Sequence, residues 1–289
     1  MLLLALLALI PQADSSLRLP SLVGDHMVLQ RGTQARVWGW AQPGDAVAVL
    51  PSWTQKSAAA TADAAGRWAV MLDTPNDQPG PHTVRIESPH GSRTLNDVML
   101  GEVWVCGGQS NMEWTLGPGV GNGVAGGAEA AAAANDPNLR WFGVAHAVSM
   151  TPLEDCAGAW QVCTPEVAPR MSAVGFFFGA ALLRELPGVP IALIGCNWGG
   201  TLAEAWTSEE FLAARGDFEV DLARMRAARQ VGASTGGSVV SMQKAWWEKL
   251  EETDPGSQAH WNRTELDDSG WEAATLPGSW SGALAGHDG

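Results

Sequence analysis

Two short apolar runs, each ending in paired glycines, constrain this chain more than any other feature. Glu102-Val103-Trp104-Val105-Cys106 runs into Gly107-Gly108, and Pro190-Ile191-Ala192-Leu193-Ile194-Gly195 runs into Asn197-Trp198-Gly199-Gly200. A near-continuous apolar run of this length predicts a strand buried on both faces, as in a parallel sheet covered by helices. Between the runs, Ser172 is placed to cap an apolar helix over residues 173–186, which Pro187-Gly188 ends. Strand, helix, strand, with each strand entering a glycine-rich loop, defines an α/β class.

The residues before this region read differently. Val37–Trp40, Val47–Leu50, Trp68–Leu72 and Thr83–Ile86 are short strand-like runs, separated by turn formers such as Pro43-Gly44-Asp45. They predict a small β-sandwich over 17–98. Ala58 to Ala65 has some helical character but is short and uncapped. Further helices are expected near 208–215, 218–229 and 242–251. Gly117 to Ala134 reads as a loop rich in glycine and alanine; its Gly121-Asn122-Gly123-Val124-Ala125-Gly126 matches GxGxxG, with no strand before it and no clear helix after it. A match without that context does not define a dinucleotide site. From Asp254 onward, Trp261, Asp267-Asp268-Ser269-Gly270-Trp271 and Leu276-Pro277-Gly278 suggest the opening of another β module.

Composition excludes several classes. With 46% apolar residues the chain can bury a core, so it is not a disordered polymer. Its charge of −14 opposes binding to nucleic-acid phosphates. No run of about 18 apolar residues is present, so no membrane-spanning helix is expected. Leu2 to Ile10, followed by Ala13, is patterned like a secretory signal over residues 1–16, although no basic residue precedes Arg18. That reading predicts a secreted or periplasmic protein; a buried first strand is the alternative. The four cysteines form no CxxC pair, and Cys156 with Cys163 is either a small loop disulfide or two free thiols.

Ser110 lies just past the first buried strand, in Gly107-Gly108-Gln109-Ser110-Asn111-Met112-Glu113-Trp114. Ligands of open α/β sheets bind beyond the carboxyl ends of strands. A serine nucleophile there needs a base and oxyanion donors; the alternative is an ordinary strand-end turn. The G-x-S-x-G elbow is not met, because Met112 stands where its last glycine would. Gly199 and Gly200 close the second strand and are placed to offer backbone N–H groups.

The stretch from Gly101 to Trp114 resembles the first signature block of the sialate O-acetylesterase family, SGNH-type carbohydrate esterases. Asp25-His26-Met27-Val28-Leu29-Gln30-Arg31 with Val37-Trp38-Gly39 is similar to the family's N-terminal β domain. Asn197 to Trp206 is similar to its second block, and Trp261 to Trp271 to the start of an inserted, jelly-roll-like β domain. The resemblance implies a flavodoxin-type SGNH sheet, here incomplete, with a catalytic domain over 99–253 and the inserted domain beginning at 254–289. It implies Ser110 as nucleophile toward an acetyl ester on a sugar. The oxyanion donors would be the Ser110 amide and a Gly199 or Gly200 amide. Gln109, Asn111 and Asn197 would line the rim, and no metal or organic cofactor is implied.

The family's later Trp-x-Gln-Gly-Glu block and its Asp-x-x-His are absent. None of His26, His82, His90, His146, His260 or His287 has an aspartate three residues before it. The chain therefore reads as truncated within the inserted domain, with the general base unassigned and low activity expected. A non-catalytic carbohydrate-binding protein, drawing on the 15 tryptophans, is the competing class, and an acetylxylan-type esterase a closer variant.

Overall fold

The computed structural model describes residues 17–149, 151–235 and 239–271. They fall into two compact units, divided between Asp217 and Phe218. The expected signal segment lies outside the described residues.

The first unit opens with short strands whose alternation sets their inward face. These are β1 (Val28–Gln30), β2 (Thr33–Trp40), β3 (Ala46–Pro51), β4 (Ala58–Thr61), β5 (Arg67–Thr74) and β6 (His82–Ser88). In β5 every second residue is buried, placing Trp68, Val70 and Leu72 inside. β2 and β5 pair antiparallel as one sheet, while β4-β3-β6 form an antiparallel ribbon that continues into β7 (Gly91–Gly108). Val37, Val70, Val49, Val84 and Ile86 share one core between these sheets. The segment near Ala58 is thus a strand at the ribbon's edge, where its pairing with β3 outweighs the helical preference of its alanines.

β7 is 18 residues long and joins the two architectures. Its first part pairs antiparallel with β6; its middle, Met99–Gly101, pairs parallel with β1; its last part, Glu102–Gly108, pairs parallel with β10 (Ile191–Asn197). Beyond β10 lie β8 (Asp136–Gly143), parallel to it, and β9 (Trp160–Cys163), antiparallel to β8. Alternation along these strands serves two cores. Phe142 and Ala192 face the β-sandwich side, whereas Trp141, Ile191 and Leu193 face the helix α3 (Ala173–Glu185). Ser172 caps α3, its hydroxyl accepting the Gly175 N–H at 3.1 Å.

A charged cluster around one buried guanidinium lies in the same unit, with Asp97 and His26 partly exposed. The Arg140 guanidinium, almost wholly buried, donates to Asp97 Oδ2 at 2.5 Å and Oδ1 at 3.2 Å, and His26 Nδ1 lies 2.7 Å from Oδ2. His26 and Asp97 both take positive φ, a conformation in which these two residue types are enriched. Arg140 beside it, with help from His26, holds the Asp97 carboxyl below its ordinary range despite burial.

Two expectations change, and one open alternative, the state of the cysteines, is decided. The strand before Ser110 is not covered on both faces: Trp104 and Val105 are exposed, because no strand among the described residues pairs with the outer edge of β7 there. The 117–134 segment is not simply a loop. It contains a 3₁₀ turn at Val120–Asn122 and the helix α2 (Gly127–Ala133), whose Ala131 enters the core. A helix does follow the GxGxxG match, but still no strand precedes it. All four cysteines are free thiols, and burial pushes that of Cys163 up to about 11.

The first unit ends with α4 (Glu209–Arg215). The second contains α5 (Glu219–Thr235), α6 (Val239–Thr253) and α7 (Pro255–Gln258), followed by turns up to Trp271, which stacks edge-on with Trp261. Its described residues contain no strand, and residues 272–289 lie outside the description. No helix among the described residues is long and apolar enough to cross a membrane.

Candidate active site

β7 and β10 run parallel with Gly108 beside Asn197, so the loops after them meet on one rim of the sheet. Ser110 begins a four-residue helix, α1 (Ser110–Glu113), which the glycine pair lets start immediately at the strand end. Ser110, Gln109 and Asn111 are exposed. Among the described residues the Ser110 hydroxyl has no hydrogen-bond partner, and no histidine is bonded to it.

Gly199 sits directly across from Ser110. A Cβ on Gly199 would lie 3.4 Å from Ser110 Oγ and 2.6 Å from Glu113 Oε2. Gly200 follows with φ +77° and is exposed. The two loops are tied by Glu113: its Oε2 accepts the Gly199 N–H at 2.5 Å, and its Oε1 lies 3.3 Å from His146 Nε2. His146 Nε2 is also 2.9 Å from the Asn197 carbonyl, and its ring stacks on Trp198 at 4.2 Å. The Asn197 amide donates to the Cys106 carbonyl at 3.2 Å, so this side chain braces the two strand ends.

Glu113 and His146 were not singled out by the sequence. They lie 33 positions apart on different loops and fall in no spacing motif; a carboxylate one turn after the serine was the only local hint. A cavity of about 250 Å³ lies behind Glu113, lined in part by Trp141, His146, Arg170, Ser172 and Asn197, but not by Ser110. Trp114 and Trp206 are exposed near the rim, and Trp206 Nε1 donates to Thr201 Oγ1 at 2.8 Å. Burial raises the Cys106 and Cys196 thiols, which keeps both protonated and poor as competing nucleophiles. Of the other histidines, His26 is committed to the Asp97 cluster and His90 to Asp45, while His82 lies on Ser52 and the Gln78 carbonyl. No group of three or more His, Cys, Asp or Glu side chains among the described residues is placed to hold a metal ion.

An exposed serine thus stands on the carboxyl rim of a mostly parallel sheet in a mixed α/β fold, opposed by a glycine loop, and comparison with known proteins places that fold among the carbohydrate acetylesterases. No family model matches the chain. It is 31% identical over 221 residues to the sialate O-acetylesterase of Mus musculus, covering 71% of this chain and 40% of that protein. To the Homo sapiens sialate O-acetylesterase it is 33% identical over 231 residues, covering 73% and 43%. A solved carbohydrate acetylesterase from Xanthomonas citri superposes with a TM-score of 0.62 at 40% identity, over 70% of this chain and 44% of that one. The chain belongs to the sialate O-acetylesterase family. It spans about two-fifths of the length of the curated relatives it matches.

Proposed function

We propose that this chain carries the nucleophile of a carbohydrate O-acetylesterase on an SGNH-type, flavodoxin-like sheet. Ser110 Oγ attacks the acetyl carbonyl carbon, and its proton passes through solvent to the departing sugar oxygen, so that the sugar leaves as its alcohol and the acyl-serine forms; water then releases acetate and restores the hydroxyl. The observation that carries this reading is the 3.4 Å approach between Ser110 Oγ and the Gly199 position across the rim. Because the Gly199 N–H is held by Glu113, the Ser110 and Gly200 amides are the oxyanion donors, and Gly199 serves by its lack of a side chain. Asn197 holds the strand ends, with Gln109 and Asn111 on the substrate side. Trp114 and Trp206 offer aromatic faces suited to a sugar ring. The substrate class is an acetylated sugar or glycan, such as an O-acetylated sialic acid or a xylan unit, met in a secreted or periplasmic setting.

No base touches Ser110 among the described residues, and His146, the one histidine brought to the rim, is engaged by Asn197 and Glu113. The chain is therefore a slow esterase, retaining only what binding and oxyanion donors supply, roughly 10³-fold over water. Incubation with a fluorophosphonate and peptide mapping is expected to place the label on Ser110, slowly, and Ser110→Ala to abolish it. Sugar binding that persists in Ser110→Ala with no label on the parent chain would instead indicate a carbohydrate-binding protein. Fast turnover of 4-nitrophenyl acetate that depends on Ser110 would show that a base is already in place.

A further inference from the structure

The cavity behind Glu113 lies beside the surface that bears Ser110 without including it. It opens between the carboxyl ends of β8 and β10, with Gly143 and Gly195 in its wall. A Cβ on Gly195 would sit 2.1 Å from the Trp141 ring, and one on Gly143 would sit 3.1 Å from Trp141 Nε1. Gly195 thus makes room for the ring, and Gly143 leaves the indole N–H uncovered.

Trp141 is the residue that calls for a ligand. It is 7% exposed, and its N–H donates to no group among the described residues. Trp68 Nε1 is sealed away in the core, whereas Trp141 Nε1 is not, and its N–H opens on the cavity it lines. A donor withdrawn from bulk water and left unpaired is costly unless a bound group accepts from it. Arg170, also in the wall, makes no side-chain hydrogen bond or ion pair among the described residues. That is notable in a chain where 31 acidic residues face 17 basic ones. Acceptors line the same space. Glu113 gives Oε2 to the Gly199 N–H and keeps lone pairs on Oε1; Asn197 spends its amide nitrogen on the Cys106 carbonyl and keeps Oδ1.

Size and charge narrow the ligand. A cavity of about 150 Å³ holds benzene, so this one, of about 250 Å³, has room for a six-membered ring with its hydroxyls. A guanidinium and a carboxylate share the wall. An acidic ligand would meet Glu113 and an amine would meet Arg170, so a neutral ligand suits both. Hydroxyls both donate and accept, as this mixed lining requires.

We propose that the cavity binds a neutral pyranose unit, whose hydroxyls accept from Trp141 Nε1 and Arg170 and donate to Glu113 and Asn197. Glu113 stands one helical turn from Ser110. A sugar held there is the neighbour of the acetylated one, so the favoured substrate is an oligosaccharide acetylated on one unit and unmodified on the next. That adjacency rests on the esterase reading; the binding of the pyranose does not.

The test titrates the full Ser110→Ala chain with methyl β-D-xylopyranoside and methyl β-D-glucopyranoside, following the indole N–H signals by proton–nitrogen NMR. The Trp141 signal is assigned by its loss in Trp141→Phe. It should shift saturably, with about millimolar affinity. By calorimetry, Trp141→Phe and Arg170→Met should each weaken binding by about threefold to tenfold. Gly143→Val, which fills the cavity, should weaken it by more than about tenfold, and Trp206→Ala on the exposed rim should leave it intact. The corresponding glucuronide and glucosaminide should bind more weakly than the glucoside. A Trp141 signal that stays still, binding insensitive to Arg170→Met and Gly143→Val, binding lost in Trp206→Ala, or tighter binding of either charged sugar would each overturn the proposal. Binding by a chain whose Ser110 takes no fluorophosphonate would keep the sugar site and end the esterase reading. A labelled Ser110 with no bound pyranoside would do the reverse.

Discussion

At Gly199 a methyl group has nowhere to go. It would sit 2.6 Å from a Glu113 carboxylate oxygen and 3.4 Å from Ser110 Oγ, so either the Glu113 bond breaks or the Ser110 turn shifts. Gly199→Ala should therefore lower the rate of fluorophosphonate labelling at Ser110 by about tenfold to 100-fold, the range expected for an ångström-scale misplacement. Its fluorescence-detected folding should survive, since the loop is on the rim and not in the core. Gly199 was legible in the sequence because a glycine pair after a strand is a local signal. Its partner Glu113 was not, because a carboxylate binding a backbone amide from another loop leaves no mark on spacing.

Among elements, the Arg140–Asp97–His26 cluster joins β7, β8 and the turn before β1. Asp97 is partly exposed, but its removal leaves the buried Arg140 guanidinium without its carboxylate, at a cost of about 3 kcal/mol. Asp97→Asn should lower stability by about that amount at pH 7, read from the urea midpoint. The pH dependence has a definite sign. A carboxyl whose folded pKa is depressed stabilises the fold above its unfolded value, near 4. That contribution fades as pH falls through the lower folded value. The gap between parent and variant should thus be full at neutral pH and shrink below about pH 4; a gap that widened with acid would contradict the assignment. The sandwich strands and α3 were readable from period-two alternation and a capping serine. β4 was not, since alanine-rich sequence carries no periodic contrast and pairing decided it. The exposure of Val105 was unreadable for a related reason: an apolar run records how the strand prefers to be surrounded, not whether a neighbour is there.

For the molecule as a whole, the core residues of the first unit all lie before its end at Asp217, and the second unit has its own helices. A chain ended at Asp217 should keep the thermal transition of the first unit and its Ser110 labelling rate. Loss of either would mean that the helices after Phe218 support the site. The unbroken course of β7 has a kinematic consequence. One strand belongs to both the antiparallel ribbon and the parallel ladder, and from Gly91 to Gly101 it is held by β6 and then by β1. The ladder's one irregularity, at Asn96–Asp97, is pinned by the bond from Arg140 to Asp97, so rotating the sandwich against the sheet that carries Ser110 would break that pair or shear a ladder. Access of any bulky ligand to Ser110 is then a matter for the rim loops, and the sandwich acts as a rigid handle that fixes where Ser110 stands.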